Sequence, residues 1–209
     1  MGVAGFVNRA HVTLKSLNCD GPYGIALGAA WLALLALTVA GPAWQEALRY
    51  DRAGLARGEY WRLVTAHLVH LDLRHACLNG VGLTLMWALF ARSYSARQWL
   101  LILVAAIAAI DLGLWLADST VLWYVGSSGV LHGVMAAGAL AYMRRGEPEG
   151  WLLAVVLVIK LIYEHWVGAL PLSGRDPVVV DAHLYGVAGG LIAAAFLKPR
   201  GRAVIVSRA

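Results

Sequence analysis

The sequence predicts an all-α membrane protein built as a bundle of six transmembrane helices, and three observations predict it. Of 209 residues, 60% are hydrophobic and only 14% are charged, where a soluble domain carries about a quarter charged. Six apolar runs of helix length recur along the chain. Basic residues gather in alternate connections, the pattern of loops retained in the cytoplasm. The formal charge of +5 then belongs to those loops. It does not call for nucleic acid, because no aromatic-interleaved basic patch accompanies it.

The runs fall at residues 24–40, 73–91, 98–117, 127–143, 150–167 and 178–197. Gly41-Pro42, Gly146-Glu147-Pro148 and the stretch from Pro171 to Pro177 punctuate them. The first run lacks a small-residue cleavage site and reads as a retained helix. Cys19 precedes it and Cys77 lies in the second run, so no disulfide framework is expected. The chain divides into a cytoplasmic segment 1–23, one membrane domain 24–197 and a basic tail 198–209.

Arg9, Lys15, Arg92, Arg97, Arg144, Arg145, Lys198, Arg200, Arg202 and Arg208 all fall on one side of the alternation. The opposite side has Arg175 alone in its fifth-to-sixth connection and no basic residue in the third-to-fourth. Both termini are therefore expected inside the cell. The long connection 41–72 then faces outward. Its four arginines are mixed with acids, and Trp44, Tyr50, Tyr60 and Trp61 are placed to form an interfacial aromatic belt.

Under this orientation the second, fourth and sixth helices run from outside to inside, and each carries polar residues near its outer end. His75 and Asn79 are four apart and share a helix face. Both are donors suited to an oxyanion hole, or to hydrogen bonds between helices. Ser128 opens the fourth run, where backbone N–H groups lack intrahelical acceptors. It suits a nucleophile or an N-cap. The helix from Ser128 to Met143 spans about 24 Å, shorter than a ~30 Å bilayer core, so its outer end lies below the membrane surface. His183 sits roughly 7 Å into the sixth run, as a general base or a buried structural histidine. Gly129 and Gly133 match Gly186 and Gly190 in spacing. If these small faces meet, their helices approach closely and Ser128 comes within reach of His183.

Together these residues resemble the rhomboid intramembrane serine proteases. Glu59-Tyr60-Trp61-Arg62 is similar to the family's outer-loop Trp-Arg element. His75-Ala76-Cys77-Leu78-Asn79 fits its His-x-x-x-Asn, and Gly126-Ser127-Ser128-Gly129 fits its Gly-x-Ser-Gly. Ala182-His183-Leu184-Tyr185-Gly186 fits its Ala-His-x-x-Gly. The resemblance implies Ser128 as nucleophile in place of Ser127 and His183 as its base. It also implies an oxyanion hole from His75, Asn79 and the Ser128 N–H. Gly-Ser-Ser-Gly-Val-Leu-His-Gly further resembles the rhombosortase subfamily, implying membrane-anchored substrates with a C-terminal Gly-Gly-type motif and span. His132 stands where many rhomboids have a tyrosine against the catalytic histidine. It is read as a packing residue or as a support for His183.

Lys160 and Glu164 are four apart in the fifth run and can neutralise each other or recognise a polar substrate segment. Asp181 is not expected in a triad, because its spacing from His183 puts it on another helix face. Asp111 is expected to pair with a neighbouring helix. His67 and His70 read as loop histidines. No metal or other cofactor is expected, since no His-Glu-x-x-His is present. The expected setting is the bacterial inner membrane, with the site facing the periplasm and the bilayer and a single-span protein as partners. The competing readings are an inactive rhomboid-like escort protein and a small transporter.

Overall fold

Every apolar run is a helix in the computed structural model, which describes residues 13–15, 17–169 and 178–201. The long helices are α1 (Gly21–Val39), α5 (Leu73–Phe90), α6 (Ala96–Leu116), α7 (Ser128–Arg144), α8 (Pro148–Val167) and α9 (Asp181–Ala195). Their starts follow local chemistry. Asp72 caps α5 by accepting the His75 N–H at 2.7 Å. Ser95 and Gln98 form a reciprocal capping box at the head of α6, and Pro148 occupies the first turn of α8. The stretch Pro171 to Pro177, Arg175, Arg9, Arg202 and Arg208, on which the orientation reading draws, lie outside the described residues.

Helices α1, α6 and α8 are long and apolar enough to cross a membrane. Their outward faces are apolar: Ile25, Leu32, Leu101, Leu112, Leu152 and Ile159 are all exposed, as lipid-facing residues are. Helices α7 and α9 are shorter, with 17 and 15 residues. They fill the centre, with α7 packed against α9, α8, α6 and α5.

The α7–α9 contact is made backbone to backbone. A Cβ at Gly133 would lie 2.6 Å from the Gly186 carbonyl oxygen, and one at Gly129 would lie 2.8 Å from that of Ala182. A Cβ at Gly186 would overlap the Gly129 carbonyl, and one at Gly190 that of Gly133. The two glycine faces singled out by spacing are thus the faces in contact.

The segment 41–72 folds more than the sequence predicts. It contains α2 (Pro42–Leu48), β1 (Tyr50–Asp51), α3 (Arg52–Ala56) and α4 (Arg62–Thr65). Strand β1 pairs antiparallel with β2 (Trp123–Tyr124), Tyr50 opposite Tyr124. This short pairing amends the all-α expectation. It also corrects the aromatic belt: Trp44, Tyr60 and Trp61 are exposed, but Tyr50 is fully buried, packed with Leu55, Ile110, Leu114 and Tyr124.

Arginines clasp this segment to the helices. Arg52 donates to the carbonyls of Leu114 at 2.6 Å, Trp115 at 3.2 Å and Asp118 at 3.1 Å, which serves the unpaired acceptors at the end of α6. Buried Arg62 donates to Glu59 at 2.6 Å and to the carbonyls of Glu46 and Arg49 at 2.7 and 2.9 Å. At the other end of the bundle Arg144, on α7, serves the final carbonyls of α9, with Ala194 and Ala195 both at 2.8 Å.

Candidate active site

The turn entering α7 is built around Gly126, whose φ of +115° suits only glycine. Its N–H donates to the Ala66 carbonyl at 2.9 Å. Its own carbonyl accepts from the Tyr124 hydroxyl at 2.7 Å. The β1–β2 pairing and this bond fix the chain just before the serines. Ser127 is the N-cap residue and makes no side-chain capping bond; its hydroxyl lies 3.4 Å from His70 Nε2. Ser128 is the first helical residue, and its hydroxyl is left for another partner.

That partner is His183. Ser128 Oγ and His183 Nε2 are 2.9 Å apart, within the reach expected of a nucleophile and its base. The glycine seam sets this distance, because Ser128 and His183 lie at the heads of the two helices that it joins. The His132 ring stacks on the His183 ring, with centroids 4.1 Å apart and planes 15° from parallel. His132 Nδ1 is 2.7 Å from the Ser128 carbonyl. A carbonyl only accepts, so that nitrogen carries the proton.

The other edge of His183 meets Glu164, which its spacing along the helix pairs with Lys160 alone. Glu164 Oε2 is 2.8 Å from His183 Nδ1, and Lys160 Nζ is 2.5 Å from Glu164 Oε1. Glu164 is 4% exposed and His183 3%, so water does not compete for this contact. One signal was available in the sequence: a carboxylate in an apolar helix demands a partner. Lys160 supplied a local one. The rotation of α8 that turns the second oxygen toward α9 has no trace in spacing along one helix.

The donors also gather at the serine turn. The His75 ring lies against Gly126, where an added Cβ would be 2.9 Å from Cε1 and 3.0 Å from Nε2. The Leu71 N–H points at His75 Nδ1 from 3.4 Å, and an N–H can only donate. The His75 proton is therefore on Nε2, the nitrogen beside Gly126. Asn79 is buried, and its Nδ2 donates to the His75 carbonyl at 3.1 Å. That uses one of its two N–H groups.

His67 and His70 lie in a connection, yet both are 2% exposed. Burial and the neighbouring His75 push the His70 pKa down to about 3. His67 Nε2 lies 3.4 Å from Asp111 Oδ1, so Asp111 meets the segment 41–72, where the sequence reading expects a neighbouring helix. His70 and Ser127 line an apolar cavity of about 740 Å³ between α1, α5, α6 and α7. Ser128 and His183 are not among its lining residues.

His132, Glu164 and His183 each offer a ligand atom within 4.8 Å of the others, a spacing that could hold a metal ion. Glu164 and His183 are already at hydrogen-bond distance. A tetrahedral ion about 2.0–2.2 Å from each ligand would push those two atoms apart. The geometry fits the hydrogen bond better than the ion.

Residues 57–200 match the family profile of the rhomboid domain. The chain belongs to the rhomboid family. It is 22% identical over 149 residues to YdcA of Bacillus subtilis (strain 168), a match spanning 71% of this chain and 73% of YdcA. It is 28% identical over 149 residues to the rhomboid protease GluP of the same organism. That match covers 68% of this chain but 27% of GluP. Family membership and the apolar helices make this an integral membrane protein, and its kinship is with proteases.

Proposed function

We propose that this rhomboid is an intramembrane serine endopeptidase that uses a Ser128–His183 pair. The observation that carries the proposal is the 2.9 Å contact between Ser128 Oγ and His183 Nε2 at the heads of two apolar helices. His183 takes the hydroxyl proton as Ser128 Oγ bonds to a peptide carbonyl carbon. The displaced π electrons become an oxyanion, met by the Ser128 N–H and the His75 and Asn79 side chains. His183 then gives its proton to the leaving amine, and the acyl-enzyme is hydrolysed by water through the same steps reversed. Transfer to an amine in place of water uses the same groups.

All six long helices span the bilayer in this reading, with both termini inside and the site near the outer face of the bacterial inner membrane. Water reaches Ser128 because α7 is short. The substrate is a single-span protein whose helix must unwind at the cut, since helical backbone is closed to attack. Glycines weaken such a helix. This supports a rhombosortase-like preference for a C-terminal Gly-Gly-type anchor.

Ser128→Ala is the test. Cleavage of a co-expressed reporter with a Gly-Gly motif, a span and a basic tail is expected to fall to background. Purified wild-type protein is expected to label with a fluorophosphonate that leaves Ser128→Ala unlabelled. Wild-type protein that stays unlabelled beside a reactive rhomboid would favour an escort function instead.

A further inference from the structure

We infer that Glu164 is a positioning residue for His183, so that the pair works as a Ser128–His183–Glu164 triad with Lys160 as its counter-charge. The inference rests on the protease reading above and adds to it a carboxylate that the two-residue mechanism does not use.

The hydrogen bonds settle the tautomer. An ionised carboxylate only accepts, so the His183 proton on that edge is on Nδ1, 2.8 Å from Glu164 Oε2. That leaves the Nε2 lone pair facing Ser128 Oγ at 2.9 Å, the form a general base needs. When His183 takes the serine proton it becomes an imidazolium. In a buried site that charge is costly unless a partner is near. Glu164 is in place before the charge appears.

His132 and Glu164 restrain different motions of one ring. The stack 15° from parallel fixes the plane of His183 but lets the ring turn within it. Glu164 grips the edge and fixes that rotation. The stack also does not say which nitrogen holds the proton, whereas the carboxylate does.

The placement of Glu164 has no obvious benefit for stability. It is in the last turn of α8 (Pro148–Val167), where the helix dipole disfavours negative charge. It is buried at 4% exposure. Lys160 meets one of its oxygens, at 2.5 Å, with a side chain 26% exposed. A pair kept only for mutual neutrality could sit one turn either way without touching His183. A carboxylate in a costly position beside a catalytic base is an arrangement characteristic of function.

Recognition of a polar substrate segment is the rival, and the two differ in what they do to KM. The decisive variants are Glu164→Gln and Glu164→Ala. In Glu164→Gln, Lys160 holds the amide oxygen, so the amide N–H₂ faces His183 Nδ1. That donor forces the ring proton onto Nε2, against Ser128. Glu164→Ala leaves the tautomer free. The isosteric variant is therefore expected to be the worse enzyme, opposite to the order for a purely structural residue.

The experiment uses the full chain purified in detergent, with monodispersity and thermal unfolding confirming each variant. The second-order rate of fluorophosphonate labelling is measured, together with kcat and KM on a fluorescent single-span Gly-rich reporter. Glu164→Gln is expected to lower labelling and kcat by at least about 10²-fold and up to about 10⁴-fold, the loss that follows when a triad carboxylate is amidated. KM is expected to hold, and Glu164→Ala to lose less. Should Glu164→Gln not fold, Glu164→Asp is expected to label faster than Glu164→Ala. Unchanged kcat with raised KM would overturn the inference in favour of recognition. Gln matching wild type while Ala fails, or Asp no better than Ala, would reduce Glu164 to a structural residue. If Ser128→Ala itself still labels and cleaves, the protease reading falls first and separately.

Discussion

Two regions hold the site, and they use opposite chemistry. The α7–α9 seam is built from glycines whose backbones touch, and it sets the separation of Ser128 and His183. The segment 41–72 is built from charge, with Arg52 and Arg62 clasping bare carbonyls. It positions Gly126 through β1 and Ala66, and its Leu71 N–H meets the His75 ring. The seam is steric and close to all-or-none, because backbone cannot repack around an added atom. The clasp is polar and divided among several bonds, so it should yield by degrees. The proposed nucleophile and base sit on the stiff region. The proposed oxyanion donor His75 sits where the two regions meet.

The largest effect on activity should come from the seam. Gly186→Ala adds a methyl that overlaps the Gly129 carbonyl. The helices must part, at about 1–3 kcal/mol for overpacking. Separating Ser128 from His183 by about 1 Å should cost roughly 10²-fold in kcat. Gly28→Ala is the matched control: an added Cβ there meets nothing within 4 Å. It should leave activity alone and raise stability by up to about 1 kcal/mol, the helix propensity difference. Equal kcat in the two variants would show that the seam does not set the catalytic distance.

This contrast also marks what the sequence could convey. Glycine spacing on two helices, with Ser128 and His183 at matching ends, carries information because a helix has a fixed period. The helical elements, the glycine faces and the sites of His75 and Asn79 are legible for that reason. Gly28 shows the limit, since it is a glycine in an apolar helix with no neighbour. Strands β1 and β2 have two residues each, too few to show a period. Arg52, Arg62 and Tyr50 therefore read as loop residues. Glu164 is hidden for another reason: its first oxygen has a partner on its own helix, so nothing along the chain signals the second.

A graded loss should follow from cutting the clasp. Arg62→Ala leaves the Glu46 and Arg49 carbonyls without their donor. Two unserved acceptors cost about 2–6 kcal/mol if both stay buried, and less if water reaches them. The expected outcome is a lowered unfolding midpoint in detergent. Fluorophosphonate labelling should fall by less than in Gly186→Ala, because Ser128 and His183 stay on the seam. An equal or larger loss of labelling in Arg62→Ala would mean that the segment 41–72 controls the proposed base as well.

The smallest effect separates the regions by pH. His70 belongs to the segment 41–72, and burial with the nearby His75 lowers its pKa from 6.5 to about 3. Between those values the unfolded chain binds a proton that the folded chain refuses. Stability is therefore undiminished above pH 6.5 and declines as pH falls from 6.5 toward 3. At pH 5 the loss is about 2 kcal/mol, from 1.36 kcal/mol per unit of displacement. His70→Gln removes the titrating group. Its unfolding midpoint should drop less than that of wild type between pH 7.5 and pH 5, whatever the offset at neutral pH. Parallel curves for the two proteins would mean that His70 is protonated in the folded state. The segment 41–72 would then not be the acid-sensitive half of the site.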